Sequence, residues 1–235
     1  MKKFLTLLFI ALAAITVLQS CSKEDEQPDK VVLASIIPYW NEVGFACQLD
    51  NGETLYPSRV RSSYKVNQDI VQRGLIYFKE LSTPIQGFTY NADVFNIVEI
   101  TTKEIEQLKD STQIDTNTDP LQIDGMSFGG GYLNVDYTVK VDPYATDKVL
   151  TISLVDNRIN GKPEYEDYYP LELQFKHTPK VGANRGTKTA FTACFYIGTL
   201  SPKYLKCKGY KIIYKDLNSA DENDNLRSMT IDYTE

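Results

Sequence analysis

A single histidine, His177, limits the chemistry open to this chain. Acid–base catalysis, serine or cysteine activation and zinc binding all draw on imidazole, and one histidine cannot build a metal triad. His177 extends the period-two row Leu171, Leu173, Phe175, so it reads as a core-edge histidine hydrogen-bonded to backbone; a catalytic or ligand role is the alternative. No serine or cysteine can be placed beside it from sequence. Cys47, Cys194, Cys207 and His177 would add up to a Cys3His zinc set. The short Cys-x-x-Cys pairs that organise such sites are missing. No metal or cofactor is expected.

Other constellations are weighed in the same way. Ser127-Phe128-Gly129-Gly130-Gly131 has the glycines of a phosphate cradle or oxyanion loop. It precedes a strand instead of a helix and has no following lysine, so it reads as a turn. Asp221-x-Asn223-x-Asn225 and Asp115-x-Asn117-x-Asp119 begin like calcium loops. In the first of them Leu226 stands where the sharp turn needs glycine, so both read as solvated loops. Glu164, Glu166 and Asp167 with Tyr165, Tyr168 and Tyr169 have the residue types of a sugar site, since tyrosine faces stack on sugar rings and carboxylates accept hydroxyls; the alternative is a polar turn with strand aromatics. Cys194 and Cys207 flank the turn Thr199-Leu200-Ser201-Pro202. In a symmetric hairpin they face each other with Cα atoms about 4.5 Å apart, within reach of a disulfide. A one-residue bulge leaves two small buried hydrophobes instead. Cys47 then stays a buried thiol.

One cysteine carries chemistry of another kind. Lys2 and Lys3 precede an apolar run over residues 4–18, too short to span a bilayer comfortably and suited to a signal h-region. It ends in Leu18-Gln19-Ser20-Cys21, which resembles the lipobox of bacterial lipoproteins: small Ser20 admits the peptidase, and the Cys21 thiol takes the diacylglyceryl group. Two or more acyl chains anchor stably, because each buried methylene contributes about 0.8 kcal/mol. An ordinary secretory signal with an incidental cysteine is the alternative. Residues 1–20 are thus a signal peptide and 21–33 a tether. The acidic run Lys23-Glu24-Asp25-Glu26 within it looks like the export signal of Bacteroides-type surface lipoproteins, and is equally a solvated linker. The expected location is the outer membrane, facing the exterior.

Composition narrows the partners. The chain carries a net charge of −6, and cleavage before Cys21 removes two lysines and no acid. Such a protein repels phosphate backbones, which argues against nucleic acid. Its 16 tyrosines and 10 phenylalanines favour strands.

The elements that must position these residues are read from period. Val43, Phe45, Cys47 and Leu49 alternate with polar or small residues, and Asp50-Asn51-Gly52 closes a hairpin. Leu75–Phe78 and Val94–Ile100 are further strands, and Thr101-x-x-Glu104 with Ile105 and Leu108 predicts one short helix. Short strands plus one helix over 34–112 suit an OB-like β-barrel. The polar, turn-rich residues 111–120 mark a boundary. From 118 to 235, Leu133, Val135, Tyr137, Val139 and Val141 alternate with polar residues, as do Leu150, Ile152, Leu154 and the row ending at His177. Strands at 187–199, 203–214 and 226–233 follow. The fold class is all-β: a barrel followed by an antiparallel β-sandwich.

This layout resembles the NigD-like lipoproteins. The residues that carry the likeness are the lipobox at Cys21, GFACQLDNGETLYPS at 44–58, GYLNVDYTVKV at 131–141 and LELQFKHT at 171–178. The resemblance implies an OB-like domain before a β-sandwich and association with bacteriocin-type gene clusters in a suspected immunity role. After His177 the basic stretch TPKVGANRGTK departs from the acidic, glycine-rich turn of the family, so no functional residue carries over there. The expected function is a non-enzymatic, lipid-anchored envelope protein that binds a protein or peptide. The alternative is a glycan-binding surface lipoprotein of a polysaccharide-uptake system. A hydrolase ranks last, since no nucleophile, base and orienting group can be assembled.

Overall fold

The computed structural model describes residues 27–39, 44–113, 118–144, 149–178, 186–219 and 225–233. The lipobox, Cys21 and the acidic run lie outside them. Two compact units result, one from the described residues of Met1–Leu49 and Glu53–Glu99, the other from Asp50–Gly52 and those of Ile100–Glu235.

In the first unit, strands β1 (Lys30–Pro38), β2 (Phe45–Leu49), β3 (Thr54–Val60), β4 (Gln72–Glu80) and the first part of β5 (Tyr90–Glu104) close on themselves. β1 pairs antiparallel with β2 and β4, β2 with β3, and β3 runs parallel to β5, which returns to β4. The cyclic order β1-β2-β3-β5-β4 is that of an OB barrel, and closure leaves no strand edge unpaired. Val43 lies outside the described residues, and from Phe45 on the alternation read from sequence holds: Phe45, Cys47 and Leu49 point inward with Ile36, Leu55, Ile76, Phe78 and Val94. Gly52, at φ 85°, supplies the left-handed residue of the β2–β3 turn. Two buried charges are held by partners. Arg73 donates to Ser35 Oγ at 3.1 Å, and the Asp93 carboxylate receives Arg59 and Arg61, which together hold its pKa below the usual carboxylate range, the Arg61 hydrogen bond most of all.

The second unit is a sandwich. One layer orders the end of β5, then β11 (Thr187–Tyr196), β8 (Tyr132–Val141) and β7 (Gln122–Gly129). The other orders β13 (Leu226–Asp232), β12 (Gly209–Lys215), β10 (Tyr168–Thr178), β9 (Val149–Asn157) and β6 (Glu106–Leu108). The predicted rows all face the core: Leu133, Val135, Tyr137, Val139 and Val141 meet Ile152, Leu154, Leu171, Leu173 and Phe175. A one-residue slip would turn each row to solvent, which fixes the register. Most ladders are antiparallel, while β5–β11, β6–β9 and β10–β12 run parallel.

The helix expected at 101–108 is not there. Thr101–Glu104 is the extended end of β5, paired with Ala193–Tyr196, and 106–108 is β6, paired with β9. A capping-box pattern is local, and two consecutive β-branched threonines beside an open strand satisfy more backbone groups as a ladder.

Candidate functional site

The tyrosines and carboxylates of 164–169 come together only in part. Tyr169 is fully buried and donates to Asp156 Oδ1 at 2.9 Å; Asp156, also buried, accepts Arg158 Nε at 2.6 Å. Burial, and then the Asp156 carboxylate, push the Tyr169 hydroxyl up to about 12. Tyr165 stacks edge-on against Tyr169 at 4.9 Å and donates to the Leu205 carbonyl at 2.8 Å. Tyr168 donates to Asp232 at 2.7 Å. Glu164 and Glu166 are exposed on the open rim beside Lys162 and Pro163. All three hydroxyls serve the fold, and this stretch presents no tyrosine row to a ligand.

The disulfide also dissolves. Cys194 is buried in β11 and Cys207 lies just before β12, in opposite layers, so the symmetric hairpin does not form. Cys47, Cys194 and Cys207 are all thiols. Burial pushes the Cys47 thiol up to about 12, which suppresses the thiolate and its reactivity. His177 is buried at the end of its row, stacked on Phe175 at 5.7 Å. Asp119 Oδ2 accepts the His177 backbone N–H at 2.9 Å and lies 3.0 Å from Nδ1. Asp115, Asn117, Asp221 and Asn223 lie outside the described residues, and among those described no group of three His, Cys, Asp or Glu side chains could hold a metal. The glycine loop is a two-residue hairpin turn, with Gly130 and Gly131 both at positive φ (58° and 84°).

The crossover between the layers builds what the sequence reading missed. After Tyr196 the chain makes a 3-10 turn over Gly198–Leu200 and one helical turn over Pro202–Leu205 before β12. Pro202 opens that helical turn with a preset φ, and Lys206, in the left-handed region at φ 58°, ends it. Strand therefore does not run from 203. The Tyr210 hydroxyl pins the crossover by donating to the Leu200 carbonyl at 2.7 Å. Around this segment Tyr196, Tyr204 and Tyr233 line a recess of ≈ 640 Å³ together with Ile105, Gly131 and the turn from Ile197 to Ser201, and Glu104 and Gln107 also border it. Gly198, at φ 42°, leaves room for the Tyr196 ring; a Cβ there would stand 3.0 Å from Cε1. Tyr196 is 43% and Tyr204 72% exposed. Among the described residues no hydrogen-bond partner reaches the hydroxyls of Tyr196, Tyr204 or Tyr233.

Residues 38–100 match the NigD-like N-terminal OB domain and residues 104–233 the NigD-like C-terminal beta sandwich domain. The chain belongs to the NigD-like family. Solved structures of the same fold include a protein of unknown function from Bacteroides vulgatus (21% identity, 87% of this chain and 90% of that one, TM-score 0.66). A NigD-like immunity protein from Bacteroides caccae matches at 16% identity over 87% and 94% with TM-score 0.59. A protein from Bacteroides fragilis, provisionally called a lipoprotein, matches at 11% over 87% and 98% with TM-score 0.62. At these identities the likeness is one of fold. No curated protein matches the chain in sequence. Within this NigD-like chain the recess draws on four separated stretches, around residues 104, 131, 196–204 and 233. The one local sign of it is a Gly-Thr-Leu-Ser-Pro turn with a tyrosine on either side, at 196 and 204.

Proposed function

We propose that this chain is a lipid-anchored protein of the outer membrane, held by acylated Cys21 and facing the exterior, that binds a protein or peptide partner in an immunity-type role. The reading rests on the recess at the end of the sandwich. Its three tyrosines, two glycines, Ser201 and Thr199, set among Ile105, Ile197 and Leu200, resemble protein-binding loops, in which rigid tyrosines give large contact area at low entropic cost and small residues adapt. Unengaged hydroxyls at Tyr196 and Tyr204 leave those side chains able to meet a partner. The NigD-like immunity protein of Bacteroides caccae supports the biological direction, and the lipobox together with the Bacteroides fragilis relative supports the anchor. Binding is favoured over catalysis because the lone histidine is buried against Phe175 and away from the recess.

The test is protection. Cells lacking the gene are complemented with wild type, Cys21→Ser or the double variant Tyr196→Ala/Tyr204→Ala, then challenged with supernatants of neighbouring strains. Wild type protects, and both variants fail although the double variant folds and is exported. Equal protection by the double variant removes the recess from the account. A specific thermal shift with a glycan panel, lost in that variant, would turn the reading to sugars.

A further inference from the structure

Resting on that reading, we propose that the recess takes an arginine or lysine side chain of a cationic peptide, its charge stacked on Tyr196 and Tyr204 and countered by Glu104. Among the described residues Glu104 is the one charged residue lining the recess. It is exposed, and among the described residues no cation pairs with its carboxylate. Several carboxylates elsewhere in the molecule are matched, Asp93 by Arg59 and Arg61, Asp156 by Arg158, Asp167 by Lys208 and Glu80 by Lys30; among the described residues others, such as exposed Glu164, are not, and what sets Glu104 apart is its place beside the recess tyrosines. Lys203, on the helical turn, lines the adjoining recess with Lys208, Tyr168 and Asp232.

Tyrosine faces are electron-rich and attract cations within about 6 Å, more so when a carboxylate stands beside them. The chain builds this arrangement from its own residues elsewhere. Lys30 Nζ lies 4.6 Å over the Tyr90 ring while pairing with Glu80 at 2.5 Å, and Lys162 lies 5.4 Å over Tyr165. Among the described residues the recess has the rings and the carboxylate and lacks the cation. The net charge of −6 draws a basic peptide in at long range. A neutral sugar would use the same ring faces and leave the carboxylate's charge unmatched.

The mature chain is titrated calorimetrically with an oligo-arginine peptide, with its citrulline counterpart (the same shape without charge) and with oligo-glutamate. The arginine peptide binds, citrulline binds about tenfold more weakly, and glutamate does not bind. Glu104→Gln weakens the arginine peptide roughly fivefold and leaves citrulline unchanged. Tyr204→Ala weakens both. Glu164→Gln, the same loss of charge at another exposed carboxylate, leaves arginine binding unchanged, which separates a seated cation from general attraction. Equal arginine affinity in Glu104→Gln and wild type overturns the proposal, as does binding of citrulline or glutamate as tight as that of arginine. If those peptides bind and lose affinity in Tyr204→Ala, the cation is wrong and the peptide site stands. If no peptide binds, the cation is wrong and the protection assay decides the site on its own.

Discussion

Two groups of tyrosines stand at the same end of the sandwich and do opposite work. Tyr165, Tyr168 and Tyr169 spend every hydroxyl on the fold, on Leu205, Asp232 and Asp156. Tyr196 and Tyr204 stand exposed around a recess, and half-buried Tyr233, edge-on against Phe128, adds a hydroxyl unbonded among the described residues. The residue type is identical, and what separates the groups is whether a carbonyl or carboxylate lies within reach of the phenolic oxygen. A cluster of tyrosines and acids in sequence therefore signals hydrogen-bonding capacity, and only the tertiary partners decide whether that capacity is used inside or offered outside.

The sharpest break of this comparison is Tyr169→Phe. It removes one oxygen atom and leaves buried Asp156 with Arg158 alone, one hydrogen bond short. An unsatisfied buried acceptor costs about 1–3 kcal/mol, and urea unfolding should show a loss of that size. A stability equal to wild type would mean that the Tyr169–Asp156 bond contributes nothing to the fold.

Alkaline titration probes the inward group without mutation. Burial holds the hydroxyls of Tyr169 and Tyr137 up to about 12, against about 10 in the unfolded chain. Between those values the unfolded state releases phenolic protons that the folded state keeps, so it binds fewer protons and stability falls as pH rises. Below pH about 10 this contribution is complete; above about 12 it is gone. The denaturation midpoint should decline across that window, and more shallowly in Tyr169→Phe. A slope indifferent to the substitution would place Tyr169 outside the set of buried phenols.

The legibility of the chain divides along the same line. Leu133 to Val141 and Leu171 to Phe175 were readable because period two depends on the strand alone, with the face of each residue set by its neighbours in sequence. Thr101 to Leu108 misled because the capping-box pattern is local, while the strand that β5 joins lies some 90 residues on. The mirror symmetry of Cys194 and Cys207 assumed a hairpin, and no local signal tells a hairpin from a crossover that changes layer. The recess was illegible for the same reason: Glu104 meets Tyr196 only through the long-range β5–β11 pairing, and Tyr233 joins them only once the two layers are stacked.

The smallest expected effect tests the outward group. Tyr204→Phe deletes the same oxygen as Tyr169→Phe, from a side chain 72% exposed whose hydroxyl meets no acceptor among the described residues. No buried group is orphaned, and the ring keeps its place, so stability should stay within about 0.5 kcal/mol of wild type. The phenyl face still attracts cations, though less well than the phenol. Arginine-peptide binding should therefore weaken modestly in Tyr204→Phe and much more in Tyr204→Ala. Set beside Tyr169→Phe, the pair assigns one atom to the fold at one position and to the partner at the other. A Tyr204→Phe variant that unfolds as readily as Tyr169→Phe would show that the hydroxyl is engaged inside after all, and the distinction between the two groups would fall.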